Sequence, residues 1–166
     1  MIRLLLSCLL LLSASSAVAQ TPHAREVRTA EGVLLPDSVI TPGVANPRLT
    51  AKVLCHQTFR TRDERRVTAA MRRQVCTLYD VVPCDRHVEV DHLISLELGG
   101  ANDIQNLWPQ PYAPSPGARQ KDVLENWLHK QVCAGMMSLE AAQQAIATNW
   151  YALYLQREAQ RSRTVK

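Results

Sequence analysis

The stretch VEVDHLISLELGGANDIQNLWPQP, residues 88–111, decides how the chain folds. It opens as a strand, because Val88, Val90, Leu93 and Ile94 are bulky, apolar and mostly β-branched. Asp91-His92 sets two polar groups inside that run. Gly99-Gly100 breaks it with a tight loop that calls for positive φ. Asn102-Asp103 reads as a structural pair that turns the loop through side-chain-to-backbone bonds. Asn106-Leu107-Trp108 then restarts an apolar run, which Pro109 and Pro111 end. A carboxylate beside an imidazole, a glycine loop and an asparagine returning opposite them is one way to build a metal-assisted hydrolytic site on a short hairpin.

These residues resemble the HNH nuclease family. Asp91-His92, Leu96-x-Leu98-Gly99-Gly100, Asn102-Asp103 and Asn106-Leu107 fall in the family's order and spacing, over about residues 88–130. The run Leu107-Trp108-Pro109-Gln110-Pro111 and the helix after it are similar to a secreted HNH-like subgroup. The resemblance implies an α+β fold with a small ββα-metal core, a hairpin plus a helix, and additional flanking helices. It implies His92 as general base, Asp91 as metal ligand and Asn106 as the residue that orients His92. The implied cofactor is a divalent ion, Mg, Mn, Ni or Zn, and the implied partner is nucleic acid, DNA first. The family usually places a further His or Asn ligand on the helix. Here Arg119 stands near that position, and neither Arg119 nor Lys121 suits a metal; Asp122 or Asn126 would serve if the helix were rotated.

The rest of the chain frames that core. Residues 1–19 read as a signal peptide: Arg3, an apolar run Leu4–Leu12, and Ala17-Val18-Ala19 as cleavage site. The run is shorter than the roughly 20 residues a membrane span needs, so the mature chain is expected to be periplasmic or secreted, with no membrane attachment. Residues 20–50 carry Pro22, Pro36, Pro42 and Pro47 and read as an irregular arm, with Val33-Leu34-Leu35 and Val39-Ile40 as short extended pieces. Residues 51–156 form the HNH-like domain, core 88–133. Residues 157–166 form a basic tail expected to fray.

Export gives the cysteines a meaning. Without Cys8, four remain: Cys55, Cys76, Cys84 and Cys133. An even number in an oxidising compartment predicts two disulfides, with three pairings open. Cys76–Cys84 would close a short loop before the site strand, and Cys55–Cys133 would tie the preceding region to the later helix; this pairing is favoured. A four-cysteine zinc site of the kind related HNH domains carry is the rival, disfavoured because no C-x-x-C pair exists.

Charge is divided along the chain. Residues 52–73 hold seven basic and two acidic residues, a balance of +5, whereas residues 74–135 hold four basic and eight acidic, a balance of −4. Basic charge beside an acidic site suits a metal-using enzyme on a polyanion, with Arg65, Arg66, Arg72 and Arg73 as phosphate contacts; a solvated basic face is the alternative. Thr68 caps a helix through Tyr79, and a second helix spans about Ala118–Cys133 with Val123, Leu124, Trp127, Leu128 and Val132 as its apolar face. Ser138 caps a third helix whose stripe is Leu139, Ala142, Ile146, Trp150 and Leu153, and His129 reads as surface. Glu89 and His87 read as solvent-facing neighbours of the site. Two functions follow: an exported, metal-dependent HNH-type endonuclease with little sequence preference, or an HNH-fold nucleic-acid-binding or structural protein that has lost catalysis.

Overall fold

The hairpin forms where the β-branched run predicts it. Strand β3 (Val88–His92) pairs antiparallel with β4 (Leu107–Pro111), with Asp91 opposite Trp108 and His92 opposite Leu107. Side chains alternate across a strand, and helices cover both faces here. On one face Val90 and Leu107 pack with Val75 and Cys76. On the other, Trp108 joins the main core with Leu124, Leu128, Ile146 and Trp150. The fold is mixed α+β. The structure is a computed structural model that describes residues 23–164; the expected signal peptide, residues 1–19, lies outside that range.

Two glycines let the hairpin close. Gly99 has φ +76°, which an L side chain rarely adopts, and a Cβ at Gly100 would stand 1.7 Å from the Ile94 carbonyl oxygen. Asn106 then ties the closed loop together, as described below.

Helices before and after the hairpin supply its cover. Helix α1 (Ala51–Leu54) and helix α2 (Thr61–Glu64) are single turns. Helix α3 (Ala69–Leu78) starts at Thr68, whose Oγ1 accepts from the Met71 amide at 3.2 Å. Helix α4 (Ala118–Cys133) begins at Gly117, whose amide donates to Gln120 Oε1 at 2.9 Å. Its buried face is Ala118, Lys121, Leu124, Glu125, Leu128 and Val132. That corrects the expected stripe. Val123 is 46% exposed and faces out, while a lysine and a glutamate one turn apart take the buried positions.

Helix α5 (Leu139–Thr164) opens with Ser138 Oγ accepting from the Ala141 amide at 3.1 Å. Its backbone leaves helical geometry at Asn149, whose Oδ1 accepts from the Ala152 amide at 2.9 Å and so caps the second half. The helix runs on through residues 157–164, where the sequence predicts a frayed tail; Arg157 lies 5.7 Å over the Trp127 ring and anchors it.

The N-terminal arm is docked. Strand β1 (Val27–Arg28) pairs with β2 (Leu34–Leu35), and Val33 and Leu34 enter the main core. Thr41 Oγ1 donates to the Leu107 carbonyl at 3.0 Å. Val39-Ile40, expected to be extended, lies in a turn closed by the Val39 amide on Asp37 Oδ1 at 2.7 Å.

Two disulfides hold these layers, Cys55–Cys133 and Cys76–Cys84, the pairing favoured from sequence over a zinc site. Among the described residues no helix is long and apolar enough to cross a membrane. Cys55–Cys133 spans 78 residues and Cys76–Cys84 spans 8. Loop-closure entropy makes the first worth roughly 4–5 kcal/mol and the second about 2–3 kcal/mol. In urea unfolding, the Cys55→Ala/Cys133→Ala pair should therefore lose more stability than the Cys76→Ala/Cys84→Ala pair; the reverse order would show that the long tie constrains little.

Candidate active site around His92

Asp91, next to last in β3, lies on the side that faces α4, and there it meets a buried cation. Lys121 is fully buried, and its Nζ donates to Asp91 Oδ2 at 2.7 Å, to the His92 carbonyl at 2.7 Å and to Glu125 Oε1. An ammonium has three donors, and all three are used. Burial alone would pull this ammonium down, but the two carboxylates outweigh it and hold it above the usual lysine range. Burial pushes Glu125 upward against the pull of Lys121.

His92 ends β3 beside this trio and is 1% exposed. Its Nε2 lies 3.1 Å from Asn102 Oδ1, and its Nδ1 is buried with no hydrogen-bond partner. Burial pushes the imidazole down to about 4, against the nearby Asp91 carboxylate. The ring is therefore neutral at pH 7. Asn102 itself is held by segment 64–66: its Nδ2 donates to the Glu64 carbonyl and its Oδ1 accepts from the Arg66 amide, both at 2.9 Å.

Asn106 does not orient His92 as the resemblance implies. It pins the loop: Oδ1 accepts from the amides of Ile94 (2.9 Å) and Val44 (3.2 Å), and Nδ2 donates to the carbonyls of Ile94 and Ala101, both at 3.0 Å. All four capacities are committed to backbone, so no hydrogen bond to the imidazole and no lone pair for a metal remain. The contact with His92 belongs to Asn102, which the sequence reading gave a purely structural role. Asp103 keeps that role, accepting from the Gln105 amide at 2.8 Å.

A cavity of about 150 Å³ opens onto this cluster. Arg65, Asp91, His92, Glu97, Asp122 and Glu125 are among the residues that line it. Glu97 Oε2 is buried there without a partner. Burial raises Glu97, and burial followed by repulsion from Asp91 raises Asp122. Carboxylates so crowded favour a bound cation. Helix α4 contributes Asp122 and Glu125; Arg119 instead lies 5.8 Å over the Tyr112 ring, and Asn126 donates to the Asp122 carbonyl, outside the cavity lining. Glu89 is half-buried, accepting from the Tyr112 hydroxyl at 3.1 Å, and His87 is exposed.

The four arginines expected to touch phosphate separate into kinds. Arg65 lines the cavity and also a second, larger depression with Arg72 and Arg86. Arg66 and Arg73 are exposed. Arg72 is spent on structure, since its Nη2 reaches the carbonyls of Asp85 at 3.0 Å and Val88 at 3.3 Å. His129 is half-buried rather than on the surface, with Nε2 3.3 Å from both the Leu54 carbonyl and Cys133 Sγ.

The sequence reading missed Lys121, Glu125 and Glu97 as parts of the site. For the first two a signal existed: Ala118, Lys121, Leu124, Glu125, Leu128 and Val132 follow helical spacing, and a Lys–Glu pair at i, i+4 sits within it. Compared with known protein families, curated proteins and solved structures, the chain gives no match.

Two measurements check this geometry. Replacing Lys121 by Met leaves Asp91 and Glu125 buried without their cation, and should cost about 3–5 kcal/mol in urea unfolding; a loss below about 1 kcal/mol would mean that the trio is solvated. In the metal-free protein, the His92 ring signals should stay those of a neutral imidazole through pH 6.5 and titrate near 4. Because the folded value is depressed, the unfolded chain binds the proton first. His92 then contributes stability that is complete above pH 6.5 and lost as pH falls toward 4. A midpoint at or above 6.5 would contradict the burial of the ring.

Proposed function

We propose that this chain is an exported, metal-dependent HNH-type endonuclease that hydrolyses phosphodiester bonds in nucleic acid with little sequence preference. The observation that carries the reading is a neutral histidine and a set of carboxylates converging on one small cavity. His92 supplies an uncharged imidazole with an unengaged nitrogen, which can take the proton of an attacking water. The hairpin β3–β4 followed by α4 is the arrangement that the ββα-metal resemblance implies.

The donor set fits a hard divalent ion. Asp91 keeps one oxygen off Lys121, Glu97 Oε2 is orphaned, and Asp122 faces the same space; oxygen ligands suit Mg²⁺ or Mn²⁺ better than thiolate metals. When bound by these carboxylates, such an ion supplies Lewis-acid polarisation of the phosphate and neutralises the leaving oxygen. Arg65, which lines the cavity, attracts the phosphate backbone, and Arg66 and Arg73 add sequence-independent contact. Two disulfides support an oxidising compartment and hence export.

One observation favours the alternative, an HNH-fold nucleic-acid-binding protein without catalysis: the Asp91 carboxylate already carries the Lys121 ammonium at 2.7 Å. Plasmid nicking by mature protein with Mg²⁺, Mn²⁺, Ni²⁺, Zn²⁺ or EDTA separates the two. His92→Ala should keep calorimetric metal binding while nicking falls by roughly 10²–10⁴. Asp91→Asn, which retains an acceptor for Lys121, and Asp122→Ala should both weaken metal binding, and excess metal should partly restore their rates. A His92 variant that cuts at the parental rate removes the assigned base, and a parent that binds DNA but never cuts makes the chain a binding protein.

A further inference from the structure

We propose that Asn102 is a positioning residue that fixes the tautomer of His92, so that Nδ1 is the nitrogen that takes the proton. The link to catalysis rests on the nuclease reading; the tautomer does not.

The argument begins with the orientation of an amide. The two ends of an asparagine side chain differ only in their hydrogen bonding, so orientation is read from partners. Here two backbone partners agree. Nδ2 meets the Glu64 carbonyl, which only accepts, and Oδ1 meets the Arg66 N–H, which only donates, each at 2.9 Å. The flipped amide would set oxygen against oxygen and N–H against N–H. Asn102 therefore presents its carbonyl oxygen to the imidazole.

That oxygen lies 3.1 Å from His92 Nε2 and can only accept. A neutral imidazole bears one N–H, and it must then be on Nε2. The opposite tautomer would oppose two lone pairs across the same distance. Nδ1 thus carries the free lone pair, and it is the buried ring nitrogen that no group engages. A buried polar atom without a partner is uncommon enough to call for a reason, and a base nitrogen awaiting a water is one.

The lock has a second property. Both of its anchors lie in residues 64–66, the turn that also carries Arg65 into the cavity. Displacing that turn withdraws the arginine and unfastens the asparagine together, so the phosphate contact and the state of the base depend on one short segment. Asn fits the position where Asp would not: a carboxylate could accept from Nε2 and from the Arg66 amide, but would face the Glu64 carbonyl with no hydrogen.

Nitrogen-15 spectra of the histidine rings test this in the metal-free protein, with His92→Gln to assign the His92 signals. The parent should show a protonated Nε2 and a lone-pair Nδ1. Asn102→Leu should show nitrogen shifts averaged between tautomers, and its kcat should fall about 10²-fold through lost orientation, with KM and metal affinity close to parental. A parent with Nδ1–H overturns the proposal, and so does an Asn102→Leu variant with unchanged shifts and rate. A parent that shows Nε2–H but cuts nothing with any cation leaves the lock standing and removes the nuclease reading instead.

Discussion

Everything around the site depends on one ammonium group. Lys121 is buried without exposure, and taking such an ion out of water costs several kcal/mol even after relaxation. The cost is offset only because three acceptors meet its three donors: Asp91, Glu125 and the His92 carbonyl. Two of these belong to the end of β3 and one to α4 itself. The same contacts that make the lysine tolerable therefore set the rotation of α4 against the hairpin. That rotation brings Asp122 to the cavity and turns Val123 and Arg119 away.

A second layer of constraint is neutral. Asn106 spends its whole amide on three separate pieces of backbone, at Val44, Ile94 and Ala101. A fully satisfied buried polar group of this kind specifies one arrangement, because any slip leaves several groups unpaired. Gly100 is the counterpart to that network, since the Ile94 carbonyl comes too close for any side chain there. The arm, the end of the strand and the glycine loop are thus registered on one another before any charged group is considered.

How much of this was legible beforehand follows from the range of each signal. Local signals were read well: the start of the strand at Val88, the cap at Thr68, the α4 limits and the cap at Ser138 are decided by neighbours in sequence, and the structure agrees, although the strand stops at His92, short of Leu93 and Ile94. The cysteine pairing favoured from sequence, one of three left open there, is the one the structure has. What failed was the identity of partners. Two asparagines four residues apart have the same chemistry, and only the fold shows that Asn102 reaches the imidazole while Asn106 serves backbone. Apolar patterning likewise cannot place a lysine inside, since its burial depends on carboxylates 30 residues away and one helical turn away.

The tryptophans give the molecule a built-in optical reporter. Trp108 stands opposite Asp91 in the hairpin, is wholly buried, and lies 6.4 Å from the Trp150 ring on α5. Trp127 is half-buried beneath the Arg157 guanidinium. Indole emission shifts to longer wavelength when water reaches the ring. Two of the three indoles therefore sense the seam between hairpin and α5, and the third senses the outer end of that helix. Separation of those layers, beside the cavity that Asp91 lines, would register as a colour change without any added label.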